Sequence, residues 1–225
     1  MLTRLEEKID PRNSALLVVD MQNDFSSPAG AFAKKGYNIS MIEQMTPNLV
    51  KLVEEAHKAG TPVIFIKSSY SSTENWYLSD VWMEQKIRRQ AGLYADASVL
   101  EEGSWGWELV SSLKPSQSDV IVKKHRYSAF YNTELDLILR SKNIKSVIMT
   151  GATTNICVES TARDAFFRDY YVVFVRDCTA SYEPHLHTAT LENIEKYFGV
   201  VVSSKEIIDC WHAEKRLEHE AKAMH

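Results

Sequence analysis

Short apolar runs alternate with helical segments along this chain, and this alternation limits the possible folds more than any other feature. Residues 15–20 are almost entirely apolar, which is typical of a parallel strand covered on both faces. Residues 42–58 carry apolar side chains at helical spacing and stop at Gly60. The same reasoning predicts further strands at 62–67, 119–123, 147–150, 171–175 and 200–203, and further helices at 82–90, 133–142, 155–168 and 184–197.

This order predicts an α/β fold of three layers, with helices on both faces of a central, mostly parallel sheet of about six strands. In such a Rossmann-like sheet, ligands bind beyond the carboxyl ends of the strands. We expect residues 1–225 to form a single domain, because this length supports one large core. Residues 68–107 are irregular and rich in Trp, Tyr, Arg and Gln, so we expect an insertion that covers the substrate or contacts another subunit.

Composition excludes several classes of function. The formal net charge of −4 gives no electrostatic reason to expect nucleic acid or an anionic membrane as a partner. The first twelve residues are charged and polar, unlike a secretory signal, and no apolar stretch approaches the roughly 20 residues that span a bilayer. The three cysteines fit neither a disulfide framework nor a zinc pattern. We therefore expect a cytoplasmic protein.

Cys157 follows the predicted strand at 147–150 and lies at the start of a predicted helix. A thiol at such a turn is close to unpaired backbone N–H groups and to the positive end of the helix dipole. Both favour the nucleophilic thiolate. The alternative is that Cys157 is a small buried apolar residue, which is the commoner role of a lone cysteine.

Two charged residues follow other strands of the predicted sheet. Asp20 ends the first strand and Lys124 follows the third. Considered alone, Asp20 is more simply explained as a cap of a helix or loop, and Lys124 is more simply explained as a charge exposed to solvent. Because carboxyl ends of parallel strands meet in one crevice, we expect both to lie near Cys157. These three groups suffice for attack on a carbonyl: the thiolate is the nucleophile, the carboxylate carries the proton, and the cation stabilises the two negative charges.

Three motifs of the chain resemble those of the isochorismatase-like cysteine hydrolases: LLVVDMQNDF at 16–25, KHRYSAF at 124–130 and GATTNICVESTARD at 151–164. They occur in the order and spacing of that family over nearly the whole chain. The resemblance implies an Asp20, Lys124 and Cys157 triad and a cis peptide between Ala152 and Thr153. It also implies that the N–H groups of Thr153 and Cys157 form the oxyanion hole, that no cofactor is needed, and that the protein is a homodimer or homotetramer.

Within this family, the chain is most similar to the ureidoacrylate amidohydrolases. The segments that carry this similarity include 75–76, 103–105, 124–130, 132–141 and 157–164. The resemblance implies hydrolysis of a carbon–nitrogen bond in a small ureido or carbamoyl amide, through a thioester or thiocarbamate. Candidate substrate contacts are Phe25, Asn75, Trp76 and Tyr127, although the aromatic residues among them are equally compatible with core or interface packing.

Other members of the family remain alternatives, namely biuret, carbamoylsarcosine and nicotinamide-type hydrolases. Cys157 argues against a true isochorismatase, since members that cleave that vinyl ether commonly lack the nucleophile. Residues 67–76 contain no histidine where nicotinamidases bind a metal, so no metal site is expected. His185 and His187 are interpreted as solvent-exposed polar residues.

Two alternatives lie outside enzymology. The chain could be a non-catalytic α/β binding protein, since this fold carries many functions. It could also be a redox sensor in which Cys178 resolves an oxidised Cys157, although Cys178 is more simply a packed core thiol. The presence of both Asp20 and Lys124 favours hydrolysis, because neither alternative needs both.

Overall fold

The computed structural model describes residues 1–70, 79–90 and 99–223. Within them, six parallel strands form one sheet in the order β3-β2-β1-β4-β5-β6. The strands are β1 Ser14–Val19, β2 Val63–Ser68, β3 Val120–Lys124, β4 Ser146–Ala152, β5 Tyr171–Ala180 and β6 Val200–Val202. The predicted α/β class and strand number are confirmed.

Helices cover both faces of this sheet. They are α1 Leu5–Lys8, α2 Asn23–Ser26, α3 Ala31–Lys34, α4 Ser40–Ala59, α5 Asp80–Gln90, α6 Leu135–Ser141, α7 Glu159–Phe167, α8 Pro184–Tyr197 and α9 Ser204–Ala223, with a π-helix at Thr154–Val158. The helix predicted at 155–168 is therefore a π-helix that continues into α7. In the described residues, no helix is both long and apolar enough to cross a membrane.

Alternate side chains of the buried strands enter two separate cores. In β1, Leu16 and Val18 pack with α4 and α9 on one face, and Leu17 and Val19 pack with α6, α7 and α8 on the other. Every residue of β1, β2 and β4 is buried, which explains why these segments are apolar runs rather than alternating patterns. This confirms the three-layer arrangement.

The strand order brings together the four strand ends that matter for function. Because β3, β2, β1 and β4 are consecutive neighbours, their carboxyl ends form one continuous edge. Ser68 at the end of β2 is paired in register with Lys124 at the end of β3, and Val19 at the end of β1 is paired with Gly151 of β4. The residues that follow these strands therefore enter a common crevice.

Candidate active site

Asp20 lies immediately after β1, because the strand ends at Val19, one residue earlier than the sequence predicts. Its backbone has a left-handed φ of 52°, a conformation that aspartate tolerates better than most residues. The Asp20 N–H still donates to the Ile66 carbonyl at 2.9 Å, which ties the residue to β2. The side chain is fully buried.

Lys124 is the last residue of β3 and is also fully buried. Its Nζ lies 2.8 Å from Oδ2 of Asp20 and donates to Ser68 Oγ at 2.7 Å and to the Arg126 carbonyl at 3.1 Å. A buried ammonium is tolerated when it is paired and hydrogen-bonded in this way.

The pKa of Lys124 reflects two opposing effects. Burial lowers the pKa, but the negative charges of Asp20 and of a Cys157 thiolate, together with hydrogen bonds to both, raise it above the usual value for lysine. Lys124 is therefore a cation at neutral pH. The same interactions place the Cys157 thiol within electrostatic reach of the ammonium.

The two carboxylate oxygens of Asp20 have different surroundings. Oδ1 accepts a hydrogen bond from Ser68 Oγ at 3.0 Å. Oδ2 is buried and contacts the Lys124 ammonium at 2.8 Å, and it accepts no hydrogen bond from any other residue that the structure describes. A carboxylate oxygen has more than one lone pair, so Oδ2 can accept a proton while it remains next to the ammonium.

Ser68 is a site residue that the sequence reasoning missed. Its hydroxyl bridges Asp20 and Lys124, and its backbone is held by the buried side chain of Gln22. Gln22 donates from Nε2 to the Ser68 carbonyl at 2.9 Å and accepts the Ser68 N–H at 2.8 Å. The available signal was positional, because Ser68 follows the strand predicted at 62–67, between the strands that carry the other two residues.

Cys157 lies in the π-helix that connects β4 to α7, and its side chain is buried, with 7% exposed. The peptide bond between Ala152 and Thr153, just before this helix, is cis. The Thr153 carbonyl accepts the N–H groups of Ile156 and Val158 at 3.1 and 3.3 Å. The N–H groups of Thr153 and Cys157 thus belong to one tight turn, and their role as an oxyanion hole stays a prediction.

Side chains from α8 and from the loop between β5 and α8 support this turn. His187 Nδ1 lies 2.9 Å from Thr154 Oγ1, and Ser181 Oγ donates to Asn155 Oδ1 at 2.7 Å. The interpretation of His187 as a solvent-exposed residue is wrong. It is half-buried, and burial lowers its pKa. His185 is exposed, as predicted.

Two of the four predicted substrate contacts, Tyr127 and Phe25, lie in the described part of the chain. Tyr127 is half-buried, with its ring 4.7 Å from that of Trp82 in α5 and its hydroxyl donating to Gln85 Oε1 at 3.2 Å. Phe25 lies in α2 with its ring 4.9 Å from that of Phe32. Asn75 and Trp76 lie outside the described residues. All four stay predictions as substrate contacts.

The two thiols of the redox-sensor alternative lie on opposite faces of the sheet. Cys157 belongs to the core formed with α6, α7 and α8, whereas Cys178 of β5 belongs to the core formed with α4 and α9. Burial also raises the pKa of Cys178 far above its usual value. This arrangement opposes a disulfide between them. In the described part of the chain, no group of three or more His, Cys, Asp or Glu side chains could hold a metal ion.

Known proteins resemble this chain in both sequence and structure. Residues 14–206 match the isochorismatase domain family. A ureidoacrylate amidohydrolase of Yersinia enterocolitica is 36% identical over 92% of this chain and 93% of its own length. A ureidoacrylate amidohydrolase of Acinetobacter baylyi is 33% identical over 93% of this chain and 88% of its own length.

Two solved structures share the fold. A cysteine hydrolase from Pseudomonas syringae superposes with a TM-score of 0.79 at 26% identity, covering 95% of this chain and 98% of its own. An N-carbamoylsarcosine amidase from Thermoplasma acidophilum superposes with a TM-score of 0.66 at 27% identity, covering 85% and 96%. The family match spans most of the chain, and the prediction of a hydrolase is confirmed. The chain therefore belongs to the isochorismatase family of hydrolases.

Proposed function

We propose that this protein hydrolyses a carbon–nitrogen bond in a small ureido or carbamoyl amide, R–NH–CO–NH₂, of the ureidoacrylate type. The names of its relatives support the coarser statement that it is a hydrolase of small amides. The observation that carries the proposed cysteine mechanism is the buried Asp20–Lys124 pair, in which the ammonium lies 2.8 Å from Oδ2 of Asp20 and interacts with Cys157. The ureidoacrylate amidohydrolases among the protein's relatives support the ureido substrate class.

The first step uses this charge arrangement. The Cys157 thiol passes its proton to Oδ2 of Asp20, and the resulting thiolate is stabilised by the Lys124 ammonium. The sulfur then forms a bond to the carbonyl carbon, and the carbonyl π electrons move to oxygen. The N–H groups of Thr153 and Cys157 hold that oxyanion, a contribution of about 3 kcal/mol for one such donor in other enzymes.

The second step expels the leaving amine. The oxyanion collapses, the carbon–nitrogen bond breaks, and Asp20 delivers its proton to the departing nitrogen. The product that stays on the enzyme is a thioester or thiocarbamate of Cys157. Ser68 holds Oδ1 of Asp20 throughout, so that the other oxygen stays directed at the reacting groups.

The last step regenerates the thiol. Asp20 removes a proton from water, and the hydroxide adds to the carbonyl carbon. Collapse breaks the carbon–sulfur bond, and the proton on Asp20 returns to Cys157. In the resting site the negative charges of Asp20 and of a Cys157 thiolate hold the pKa of Lys124 above its usual value, and the ammonium offsets the thiolate whenever that forms.

We also propose that residues 68–107 cover the substrate within a single-domain chain. In the described part of this segment, the ring of Trp82 packs against Tyr127, and the Arg126 guanidinium lies 5.0 Å from the Trp82 ring. Helix α5 therefore rests on the residues directly after Lys124. If this helix helps to enclose the substrate, Trp82→Ala should raise KM more than it lowers kcat.

An ammonia-release screen tests the proposed function. The substrates are ureidoacrylate, biuret, carbamoyl amino acids, nicotinamide and simple amides, assayed with the wild type, Cys157→Ala and Cys210→Ser. We expect ureido or carbamoyl compounds to release ammonia with the wild type and Cys210→Ser but not with Cys157→Ala. Release from nicotinamide without any ureido compound would reject the substrate class, and activity in Cys157→Ala would reject the nucleophile.

A further inference from the structure

A set of side chains on one side of the Cys157 turn is not explained by the steps above. Among the described residues, three side-chain hydrogen bonds join the segment around Cys157 to α8 and to the loop between β5 and α8. They link Thr154 to His187, Asn155 to Ser181, and Glu159 to Thr190. The bonds therefore flank the nucleophile on both sides in sequence.

The π-helix that carries Cys157 is an unusual element. Such helices are rare, and single π-helical turns occur frequently at functional sites. Cys157 is the fourth residue of the π-helix Thr154–Val158. A rotation of this turn would move both the sulfur and the backbone N–H groups that we assign to the oxyanion.

The Thr154–His187 bond is the one nearest to the proposed oxyanion donors. Thr154 follows Thr153 directly and is fully buried, and its Oγ1 lies 2.9 Å from Nδ1 of His187 in the first turns of α8. Burial lowers the pKa of His187, so the ring is neutral at neutral pH and can share one proton with the hydroxyl.

We infer that His187 is a positioning residue for the proposed reaction, which acts through Thr154 to fix the turn that carries Thr153 and Cys157. This inference rests on the proposed function, because it assigns His187 a role in the same site. His187 is a positioning and not a catalytic residue, since it acts on the reacting groups only through the turn.

Substitutions at both ends of the bond test this role. His187→Asn can place an amide group near the position of Nδ1 and keep the bond, whereas His187→Ala removes it. Thr154→Val removes the hydroxyl with almost no change in shape, and Thr154→Ser retains it. His185→Ala is the matched control, because His185 is exposed on the same helix two residues away.

We expect His187→Ala and Thr154→Val each to lower kcat about 10- to 100-fold with KM little changed, because small displacements of reacting groups have effects of this size. His187→Asn and Thr154→Ser should stay within about threefold of the wild type in kcat, as expected when the bond is preserved. The double variant should lose no more than either single variant, since both remove the same interaction.

Two further measurements separate positioning from other roles. Thr154→Val should still be folded at the assay temperature, as thermal unfolding can show, and Cys157 should still be alkylated in this variant because Asp20 and Lys124 are intact. A rise in KM at constant kcat in His187→Ala would overturn the inference, because it would make His187 a substrate contact. Additive losses in the double variant, or equal losses in His187→Ala and His187→Asn, would also overturn it.

Failure of the inference is distinct from failure of the proposed function. If Cys157→Ala is inactive and the wild type hydrolyses ureido compounds, the proposed function holds whatever His187 does. If His187→Ala and Thr154→Val then show wild-type kcat, only the positioning role is rejected.

Discussion

The Lys124 ammonium lies 2.8 Å from Oδ2 of Asp20, and both side chains are fully buried. A buried ion pair is itself only weakly stabilising, because desolvation of the two charges offsets their attraction. Removing one partner is different, since it leaves the other charge uncompensated in the interior. Substitution of either residue should therefore affect both the stability of the fold and the activity of the site.

We expect Lys124→Met to lower the free energy of unfolding by about 3–5 kcal/mol, the usual cost of breaking a buried pair. Asp20→Asn should lower kcat by about 10²–10⁴-fold, as expected when a general acid–base group is lost. Urea unfolding and initial rates measure the two effects.

Lys123→Met is the control for the lysine variant. Lys123 is the neighbouring residue of β3, but its side chain is half-exposed and pairs with Glu102 at 2.9 Å. An exposed pair contributes at most about 1 kcal/mol. Equal destabilisation by the Lys123 and Lys124 variants would show that the buried pair has no special role in stability.

The close approach of β4 to β1 gives a second prediction. Gly151 has a φ of 108°, and a Cβ at this position would lie 2.0 Å from the Val19 carbonyl oxygen. The backbone of Val19 cannot move away freely, because it is paired with β2 and β4. Gly151→Ala should therefore destabilise the fold and displace the Cys157 turn that follows β4.

Gly36→Ala is the matched variant, since Gly36 has a φ of 88° but nothing within 4 Å of an added Cβ. We expect it to cost about 1–2 kcal/mol, the price of a left-handed non-glycine residue. Gly151→Ala should lower the free energy of unfolding by at least about 2 kcal/mol more, because overpacking is added to the strain. Similar urea midpoints for both variants would contradict the predicted clash between a Cβ at position 151 and the backbone of Val19.

The sheet was predictable because its strands are buried on both faces. Residues 15–20 and 62–67 are continuous apolar runs that correspond to β1 and β2 within one residue at each end. The strand predicted at 171–175 was too short, since β5 continues to Ala180 through the polar residues Arg176 and Asp177. Apolar pattern alone cannot extend a strand through polar side chains.

The site was predictable only in part, for a physical reason. Asp20, Lys124 and Cys157 are chemically distinctive and lie where parallel strands end, so the topology of the sheet predicts that they meet. Ser68 and His187 act through hydrogen bonds to residues far away in sequence. No local pattern distinguishes such a serine or histidine from a solvated one.

The raised pKa of Tyr170 predicts how the stability of the fold depends on pH. Burial, together with a 2.9 Å hydrogen bond to Asp136, raises the pKa of Tyr170 to about 12. The unfolded chain has the ordinary pKa of about 10. Between these values the unfolded state loses its proton and the folded state keeps it, so stability should fall as pH rises from about 10 to about 12.

Tyr170→Phe should remove this part of the pH dependence. Relative to its value near pH 9, the free energy of unfolding at about pH 11 should fall by about 1 kcal/mol less in Tyr170→Phe than in the wild type. Tyr131→Phe, at an exposed tyrosine, is the control. Parallel pH profiles for the wild type and Tyr170→Phe would contradict the raised pKa.

The different surroundings of Cys157 and Cys178 predict selective alkylation of the native protein. The Lys124 ammonium stabilises a Cys157 thiolate, whereas burial raises the pKa of Cys178 far above its usual value. Since the thiolate is the reactive form, iodoacetamide should modify Cys157 at least about tenfold faster than Cys178. Peptide mass spectrometry at several times of reaction measures both rates.

Lys124→Met should slow the modification of Cys157 and leave that of Cys210 unchanged. In concentrated urea the three thiols should react at similar rates, because the differences between them depend on the fold. Faster modification of Cys178 than of Cys157 in the native protein would contradict the assignment of Cys157 as the activated nucleophile. An unchanged Cys157 rate in Lys124→Met, with the variant still folded, would remove the lysine from the proposed mechanism.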